Sequence, residues 1–168
     1  MIARAMRHLD WMRLNSKERA YQLQMGSKTL VSLTWQNIRD TYAIAEAQAD
    51  RWIYMCVGYL SHQVLVQSPT GETLGVFKPG TDGGILHMTE GNLYKLSRVY
   101  PMRPDMVWLD ASDRQLVHVK GDLGFDAKSG YVELAENLTF DQTRKTPLLI
   151  SLGWYLLISA HVDMTLIL

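Results

Sequence analysis

Short runs in which hydrophobic and polar residues alternate fill the chain between Lys28 and Phe140. Alternation with a period of two is typical of strands that bury one face, and turn-forming residues separate most of the runs. We therefore predict nine to twelve antiparallel strands joined by short connections. The clearest predicted strands are Lys28–Trp35, Tyr42–Ala45, Arg51–Tyr59, Val64–Gln67, Thr73–Phe77, Ile85–Met88, Asn92–Leu96, Met106–Leu109, Gln115–Val119 and Gly130–Leu134.

Two of these hairpins repeat one pattern at a shift of 42 residues. Val64–Lys78 and Met106–Lys120 align strand on strand, with Leu74 over Leu116. The turn of the first copy, Ser68-Pro69-Thr70-Gly71, has proline at its second position and glycine at its fourth, which favours a type I turn. The repeat predicts two hairpins of the same construction.

The C-terminal part of the chain has a different pattern. Leu148–Ala160 carries no charge and is apolar around nearly its whole circumference when it is drawn as a helix. Thr146 and Pro147 suit the start of such a helix, as a cap and as its first residue. A helix that is apolar on every side either spans a membrane or is enclosed by protein. From Pro147 to Ala160 it is about 21 Å long, which is shorter than the ~30 Å of a bilayer core unless it continues towards Leu168.

A closed sheet around this helix satisfies both patterns, because the strands need an apolar partner on one face and the helix needs one on all sides. Eight strands leave no room beyond their own side chains, whereas a helix needs about 10–12 Å of width. We therefore predict a mainly β fold, a closed antiparallel barrel around a central hydrophobic C-terminal helix. Closure also removes exposed sheet edges.

The first nineteen residues form a separate amphipathic segment in this interpretation. Met1–Arg19 contains five basic and two acidic residues, and apolar residues recur from Ile2 to Met12 at helical spacing. We predict a short N-terminal helix here, either packed across the domain or lying on a membrane or partner with Trp11 near its edge. Residues 20–168 are then a single barrel domain that includes the core helix 147–160.

The composition excludes several classes of function but does not indicate a particular one. The 168 residues carry 17 basic and 17 acidic side chains, so a nucleic-acid partner is not expected. The single cysteine, Cys56, excludes an internal disulfide framework and a cysteine-based zinc cluster. The N-terminus lacks the continuous apolar stretch of a secretory signal. We expect a cytoplasmic protein, peripheral to a membrane if it binds lipid.

The layout resembles the tubby C-terminal-like superfamily, which includes the LURP-one-related proteins and the phospholipid scramblases. The resemblance is carried by the two repeated hairpins, Val64–Lys78 and Met106–Lys120, and by the terminal segment Pro147–Leu157. It covers roughly Lys28 to the C-terminus and depends on layout rather than on a signature motif. It implies a barrel of about twelve strands and a non-enzymatic binding or scaffolding module that associates with anionic lipid, phosphoinositide or a protein partner. The alternative it implies is a scramblase-like protein anchored by a C-terminal transmembrane helix.

A lipid or anion site would have to use the basic residues of the second half of the chain. The candidates are Lys120, Lys128, Arg144 and Lys145, although nearby acidic residues also fit dispersed surface charge. No phosphoinositide site can be placed residue by residue from the resemblance.

The sequence contains no recognisable catalytic motif. The histidines are too far apart in sequence for a local metal-ligand pair, and Cys56 lies in an apolar strand and is expected in the core. Asp110 and Asp113 flank a turn, where their expected role is turn hydrogen bonding. We expect no enzyme, cofactor or metal.

Overall fold

The computed structural model describes residues 9–14, 20–36, 42–58, 62–99, 105–121 and 129–166. Within these ranges the chain forms twelve strands and one helix. The helix α1 is Phe140–Leu166. The strands are β1 Leu9–Arg13, β2 Ala20–Met25, β3 Lys28–Trp35, β4 Tyr42–Ala47, β5 Asp50–Val57, β6 Gln63–Gln67, β7 Thr73–Gly80, β8 Gly83–Met88, β9 Leu93–Arg98, β10 Asp105–Leu109, β11 Gln115–Gly121 and β12 Ser129–Leu134.

All twelve strands belong to one closed antiparallel barrel. Each strand pairs with its neighbours in sequence, and β1 closes the ring by pairing with β12, with Leu9 opposite Val132. The alternation in the sequence becomes an inside and an outside: Val31, Leu33 and Trp35 of β3 are buried, whereas the residues between them are half-buried. The predicted closed barrel is confirmed.

The helix α1 passes through the interior of this barrel. Every residue from Leu148 to Tyr155 is buried, as are Leu157 and Ile158. Aromatic rings of the wall cover different faces of the helix: Trp154 stacks on Trp11, and Tyr155 stacks on Trp35 with 5.5 Å between ring centroids. The predicted core helix is therefore confirmed.

The start of α1 differs from the prediction at Thr146 and Pro147. The helix begins at Phe140, and Thr139 is its cap. The Thr139 hydroxyl accepts from the Gln142 amide at 3.2 Å, and the Gln142 side chain accepts from the Thr139 amide at 3.0 Å. This reciprocal arrangement is a capping box. Thr146 lies inside the helix, where its hydroxyl donates to the Gln142 carbonyl.

The predicted N-terminal helix is wrong for Leu9–Arg13, which forms strand β1. Trp11 has no exposed surface and stacks on Trp154, so it lies in the barrel interior rather than near a membrane-facing edge. The 3.6-residue spacing of apolar residues was a poor guide because the strand is short and the tertiary contacts of Trp11 decide its structure. The barrel thus includes residues placed in the separate segment 1–19, and residues 1–8 lie outside the described residues.

The 42-residue repeat is present in the structure down to the turns. Gly71 donates to the Ser68 carbonyl at 3.0 Å, and Asp113 donates to the Asp110 carbonyl at the same distance. Gly71 and Asp113 both have positive φ, +89° and +64°. Each hairpin has a register shift at the same place, after Val66 and its counterpart Trp108. The two copies are therefore structurally equivalent.

In the described part of the chain, no helix combines the length and the hydropathy that crossing a bilayer requires.

Candidate functional site

The two ends of the barrel differ because the helix enters at only one of them. Odd-numbered strands run away from the end at which α1 begins, and even-numbered strands run back towards it. We call the end with the Ser68–Glu72, Thr89–Asn92 and Asp110–Arg114 turns the entry end, because the start of α1 contacts it. Gln142 donates to Asp110, and Lys145 pairs with Glu90. The opposite end is the exit end.

Basic residues lie at the exit end of four odd-numbered strands. They are Arg13 on β1, Lys78 on β7, Arg98 on β9 and Lys120 on β11. The described acidic residues at this end are Asp82, which is exposed, Asp105, which is only 5% exposed, and Asp10, which is exposed and lies at the level of Lys120, since both are opposite Tyr131. The exit end therefore carries a small excess of positive charge, and two of its basic residues, Lys78 and Arg98, are exposed.

Exposed apolar side chains accompany three of these basic residues. Leu14 follows Arg13 and is 50% exposed, and Val99 follows Arg98 and is 41% exposed. Ile85 lies directly opposite Lys78 in the β7–β8 ladder and is 37% exposed. Large apolar side chains next to basic ones are typical of a surface that meets the headgroups and the outer acyl region of a bilayer.

Lys120 is held against the wall of the barrel. Its ammonium group lies 5.1 Å from the centre of the Tyr131 ring. The hydrogen bond with Tyr131 raises the pKa of Lys120 above its usual value, and the negative charges of Asp105 and Glu133 add to this effect. Lys120 therefore stays positively charged, with its ammonium group already engaged by neighbours.

A histidine between two carboxylates lies beside Lys120 on the outside of β10–β12. His118 contacts Asp105 through Nε2, and its Nδ1 lies 3.6 Å from Glu133 Oε2. Since the two carboxylates use opposite nitrogens of the ring, they do not converge on one point. Correspondingly, the described residues contain no group of three or more His, Cys, Asp or Glu side chains that could hold a metal ion. The cluster links three adjacent strands.

The predicted lipid-binding residues do not come together. Arg144 and Lys145 lie at the entry end, whereas Lys120 lies at the far end of β11, roughly 16 Å along the strand from Gln115. Lys145 pairs with Glu90 at 2.8 Å, and this hydrogen bond is the main cause that lowers the pKa of Glu90. Arg144 packs over the Phe140 ring. Lys128 lies outside the described residues.

Two other residues singled out from the sequence have clear places. Asp110 caps its turn as predicted: its Oδ1 accepts from the amides of Ser112 and Arg114 at 2.8 and 2.9 Å. Cys56 is half-buried rather than enclosed in the core, and its sulfur lies 3.9 Å from His62 Nδ1 at the exit end. The apolar residues around Cys56 predict a core position, but the strand ends one residue later, at Val57, and this leaves Cys56 half-buried.

Sequence reasoning missed most of the exit-end surface, although a signal was present. In a meander barrel, the last residues of alternate strands share one end. Arg13, Lys78, Arg98 and Lys120 each lie at or near the C-terminal end of an odd-numbered strand. Only a correct strand count reveals this, and the sequence pattern predicts a helix rather than a strand at β1.

The architecture defines the class of the protein as a twelve-stranded closed barrel with a helix in its core. No family model, no curated protein and no solved structure matches the chain. The resemblance to the tubby C-terminal-like superfamily therefore stays a prediction.

Proposed function

We propose that this barrel is a non-enzymatic binding module that docks onto anionic membrane surfaces through its exit end. The observation that carries the proposal is the placement of basic residues beside exposed apolar ones at that end, as in Arg98 and Val99. Each basic side chain near an anionic surface contributes about 1 kcal/mol. Apolar side chains at the same level add area that leaves water on contact with lipid.

The entry end is a poorer candidate for the same partner. Its basic residues are largely engaged: Lys95 pairs with Asp113, Arg51 with Glu46, and Lys145 with Glu90. An anionic surface would also meet exposed carboxylates such as Asp141 there.

The anchored, scramblase-like alternative is less well supported. It needs the apolar helix in the bilayer, but Leu148–Ile158 is enclosed by the barrel wall except for partly exposed Leu156. Removing the helix from this interior would expose the rings of Trp11 and Trp35 that stack on it. We therefore favour a peripheral association.

Co-sedimentation with vesicles tests the proposal. The probes are vesicles of phosphatidylcholine alone, with phosphatidylserine added, and with a phosphoinositide added. We expect binding that requires anionic lipid and weakens with salt. In Lys78→Glu/Arg98→Glu the affinity should fall by about 25-fold or more, since two charges worth about 1 kcal/mol each are reversed.

A double variant at the entry end is the matched control. Lys28→Glu/Arg144→Glu changes the net charge by the same amount at two exposed positions, and we expect less than a 3-fold effect. Failure of the wild-type protein to bind anionic vesicles, or an equal loss in both double variants, would contradict exit-end docking. Binding of an acidic protein instead of the vesicles would assign the same surface to a protein partner.

A further inference from the structure

The histidines whose side chains the structure describes are divided between the two ends of the barrel. His62 is exposed and directly precedes β6, which begins at the exit end. His118 lies two residues before Lys120 on the same outward face of β11, about 7 Å from it along the strand. His87 is exposed on β8 and lies next to the entry-end turn at Thr89–Asn92. The charge of a histidine ordinarily changes between about pH 5 and 8, so acidification in this range adds positive charge at both ends.

His118 is surrounded by charged groups on its own strand and on the two strands beside it. Its Nε2 contacts Asp105 of β10, and its Nδ1 lies 3.6 Å from Glu133 Oε2 on β12. The His118 side chain is only 14% exposed, so these charges are screened less than exposed ones are. A neutral imidazole has one N–H to donate and an imidazolium has two, so only the protonated form offers an N–H to each carboxylate. The titratable and charged groups nearest to it are Asp105, Glu133, Lys120 and Tyr131, with Asp10 and Arg98 one strand further on.

The charge of His118 decides how strongly Lys120 can attract an anion. With a neutral imidazole, the carboxylates of Asp105 and Glu133 outnumber the ammonium group of Lys120 by one. With an imidazolium, the charges of the four groups sum to zero. Both carboxylates act on this ammonium group: the pKa of Lys120 is raised first by its hydrogen bond with Tyr131 and further by the negative charges of Asp105 and Glu133. Protonation of His118 therefore offsets negative charge that otherwise cancels the charge of Lys120.

The exit end is sensitive to single charges because its excess of positive charge is small. Its basic residues are Arg13, Lys78, Arg98 and Lys120, and its described acidic residues are Asp10, Asp82 and Asp105. The excess is one charge while His62 and His118 are neutral, and it is three charges when both are protonated. Aspartate and glutamate ordinarily titrate near pH ~4 and lysine above pH ~10. Histidine is therefore the side chain that changes its charge in mild acid.

We propose that acidification strengthens the docking of the exit end onto anionic membranes, and that His62 and His118 take up the protons responsible. This regulation rests on the proposed function, since it acts through the same surface. Protonated His62 adds an exposed charge to that surface, and protonated His118 neutralises the negative surroundings of Lys120. Docking is then weak near neutral pH and stronger in mild acid.

Co-sedimentation with vesicles of phosphatidylcholine and phosphatidylglycerol at about pH 7.5 and about pH 5.5 tests the proposal. Phosphatidylglycerol keeps one negative charge over this range, so a change in binding comes from the protein. We expect the wild-type affinity to rise about 5-fold or more at the lower pH, because one charge near an anionic surface corresponds to about 5-fold in affinity. In His62→Gln/His118→Gln the affinity should change less than about 2-fold. The matched control is His87→Gln, which should keep the full increase because His87 lies near the entry end.

A second variant tests the role of the His118 surroundings without a change of pH. Glu133→Gln removes one negative charge beside His118 and Lys120 and keeps the size of the side chain. It should strengthen docking at about pH 7.5 by about 2- to 5-fold. Glu136→Gln is its control, since Glu136 is exposed just beyond the entry end of β12, and it should have no comparable effect. Tryptophan emission without vesicles checks the fold at both pH values, because unfolding exposes Trp11 and Trp154.

The possible outcomes separate this regulation from the docking itself. A wild-type protein that binds anionic vesicles at neither pH contradicts both. Equal binding at the two pH values, or an increase that persists in His62→Gln/His118→Gln, overturns the regulation and leaves the docking intact. An increase that His87→Gln reduces equally also overturns it, because the position of the histidine would then not matter. A shift of the tryptophan emission at the lower pH would assign the increase to partial unfolding and overturn it as well.

Discussion

Trp154 of the core helix stacks on Trp11 of the first strand, with 5.2 Å between ring centroids and 12° between ring planes. Both side chains have no exposed surface. The contact joins parts of the chain more than 140 residues apart in sequence, at the strand pair β1–β12 that closes the barrel. It therefore fixes the position of the helix and the closure of the sheet together.

We predict that Trp11→Ala destabilises the protein by about 3–5 kcal/mol, because it removes a large buried side chain and leaves a cavity. Met12→Ala is the control, since the neighbouring Met12 is 45% exposed and should change stability by no more than ~0.5 kcal/mol. Urea denaturation measures both. Equal effects of the two substitutions would contradict the interior position of Trp11.

Tyr54 should make stability depend on pH in alkaline solution. Its hydroxyl lies 2.6 Å from Ser151 Oγ inside the barrel, and burial raises the pKa of Tyr54 above its ordinary value. Tyrosine in the unfolded chain ionises near pH 10. Since the folded pKa is higher, the contribution to stability is complete below about pH 10 and is lost as pH rises above it, by up to ~1.4 kcal/mol per pH unit.

Tyr54→Phe should therefore lose less stability between pH 9.5 and 11 than the wild-type protein does. At pH 7 the same substitution should cost about 0.5–1.5 kcal/mol, because Ser151 still donates to the Pro147 carbonyl. Burial also raises the pKa of Tyr94, but Tyr94 is present in both proteins, so the difference isolates Tyr54. Parallel curves of unfolding free energy against pH would contradict the prediction.

Two glycines should respond very differently to the same substitution. A Cβ at Gly130 would lie 2.2 Å from the Lys120 carbonyl oxygen and 2.6 Å from the Trp154 ring, whereas a Cβ at Gly71 meets nothing within 4 Å. We expect Gly130→Ala to cost about 3 kcal/mol or more through overpacking, because a backbone carbonyl and a buried ring would have to move. Gly71→Ala should cost about 1 kcal/mol, from its positive φ alone. A milder effect at Gly130 than at Gly71 in thermal unfolding would refute this ranking.

The helix start gives a fourth prediction. Thr139→Ala should cost about 1 kcal/mol, because it removes the acceptor for the Gln142 amide. Thr143→Ala is the control: Thr143 is exposed one turn into the helix, and alanine is the better helix former there. If chemical denaturation shows the larger loss for Thr143→Ala, the capping box is not the start of α1.

The architecture could be predicted from two patterns in the sequence, an all-apolar helix and many strands with one apolar face. The run Leu148–Ala160 has no polar face, and each strand has an apolar face that needs a partner, so enclosure of the helix satisfies both, although a membrane span stayed open as the alternative. The first residue of the helix was harder to predict. Thr139 and Gln142 match the T-x-x-Q pattern of a capping box. Thr146 and Pro147, about two turns further on, also match the pattern of a helix start, and the sequence alone does not decide between the two positions.

The candidate surface was harder to predict, because the fold and not the sequence separation decides which residues share one end of the barrel. Lys120 and Arg144 are close in sequence but lie at opposite ends of the barrel, since one ends a strand and the other begins the helix. Arg13 and Lys120 are far apart in sequence, yet both lie at the exit end, with β12 between their strands. Leu9–Arg13 is too short for periodicity to distinguish strand from helix.

The position of the helix has a consequence for synthesis. Because α1 follows all twelve strands, the ribosome has synthesised every strand before it makes the segment that fills the interior. In a nascent chain that ends near Leu134, the inward-facing tryptophans and tyrosines would have no helix to pack against. Completion of the fold must therefore wait until α1 has been made, and until then the exposed apolar surface of the growing polypeptide is a substrate for chaperones.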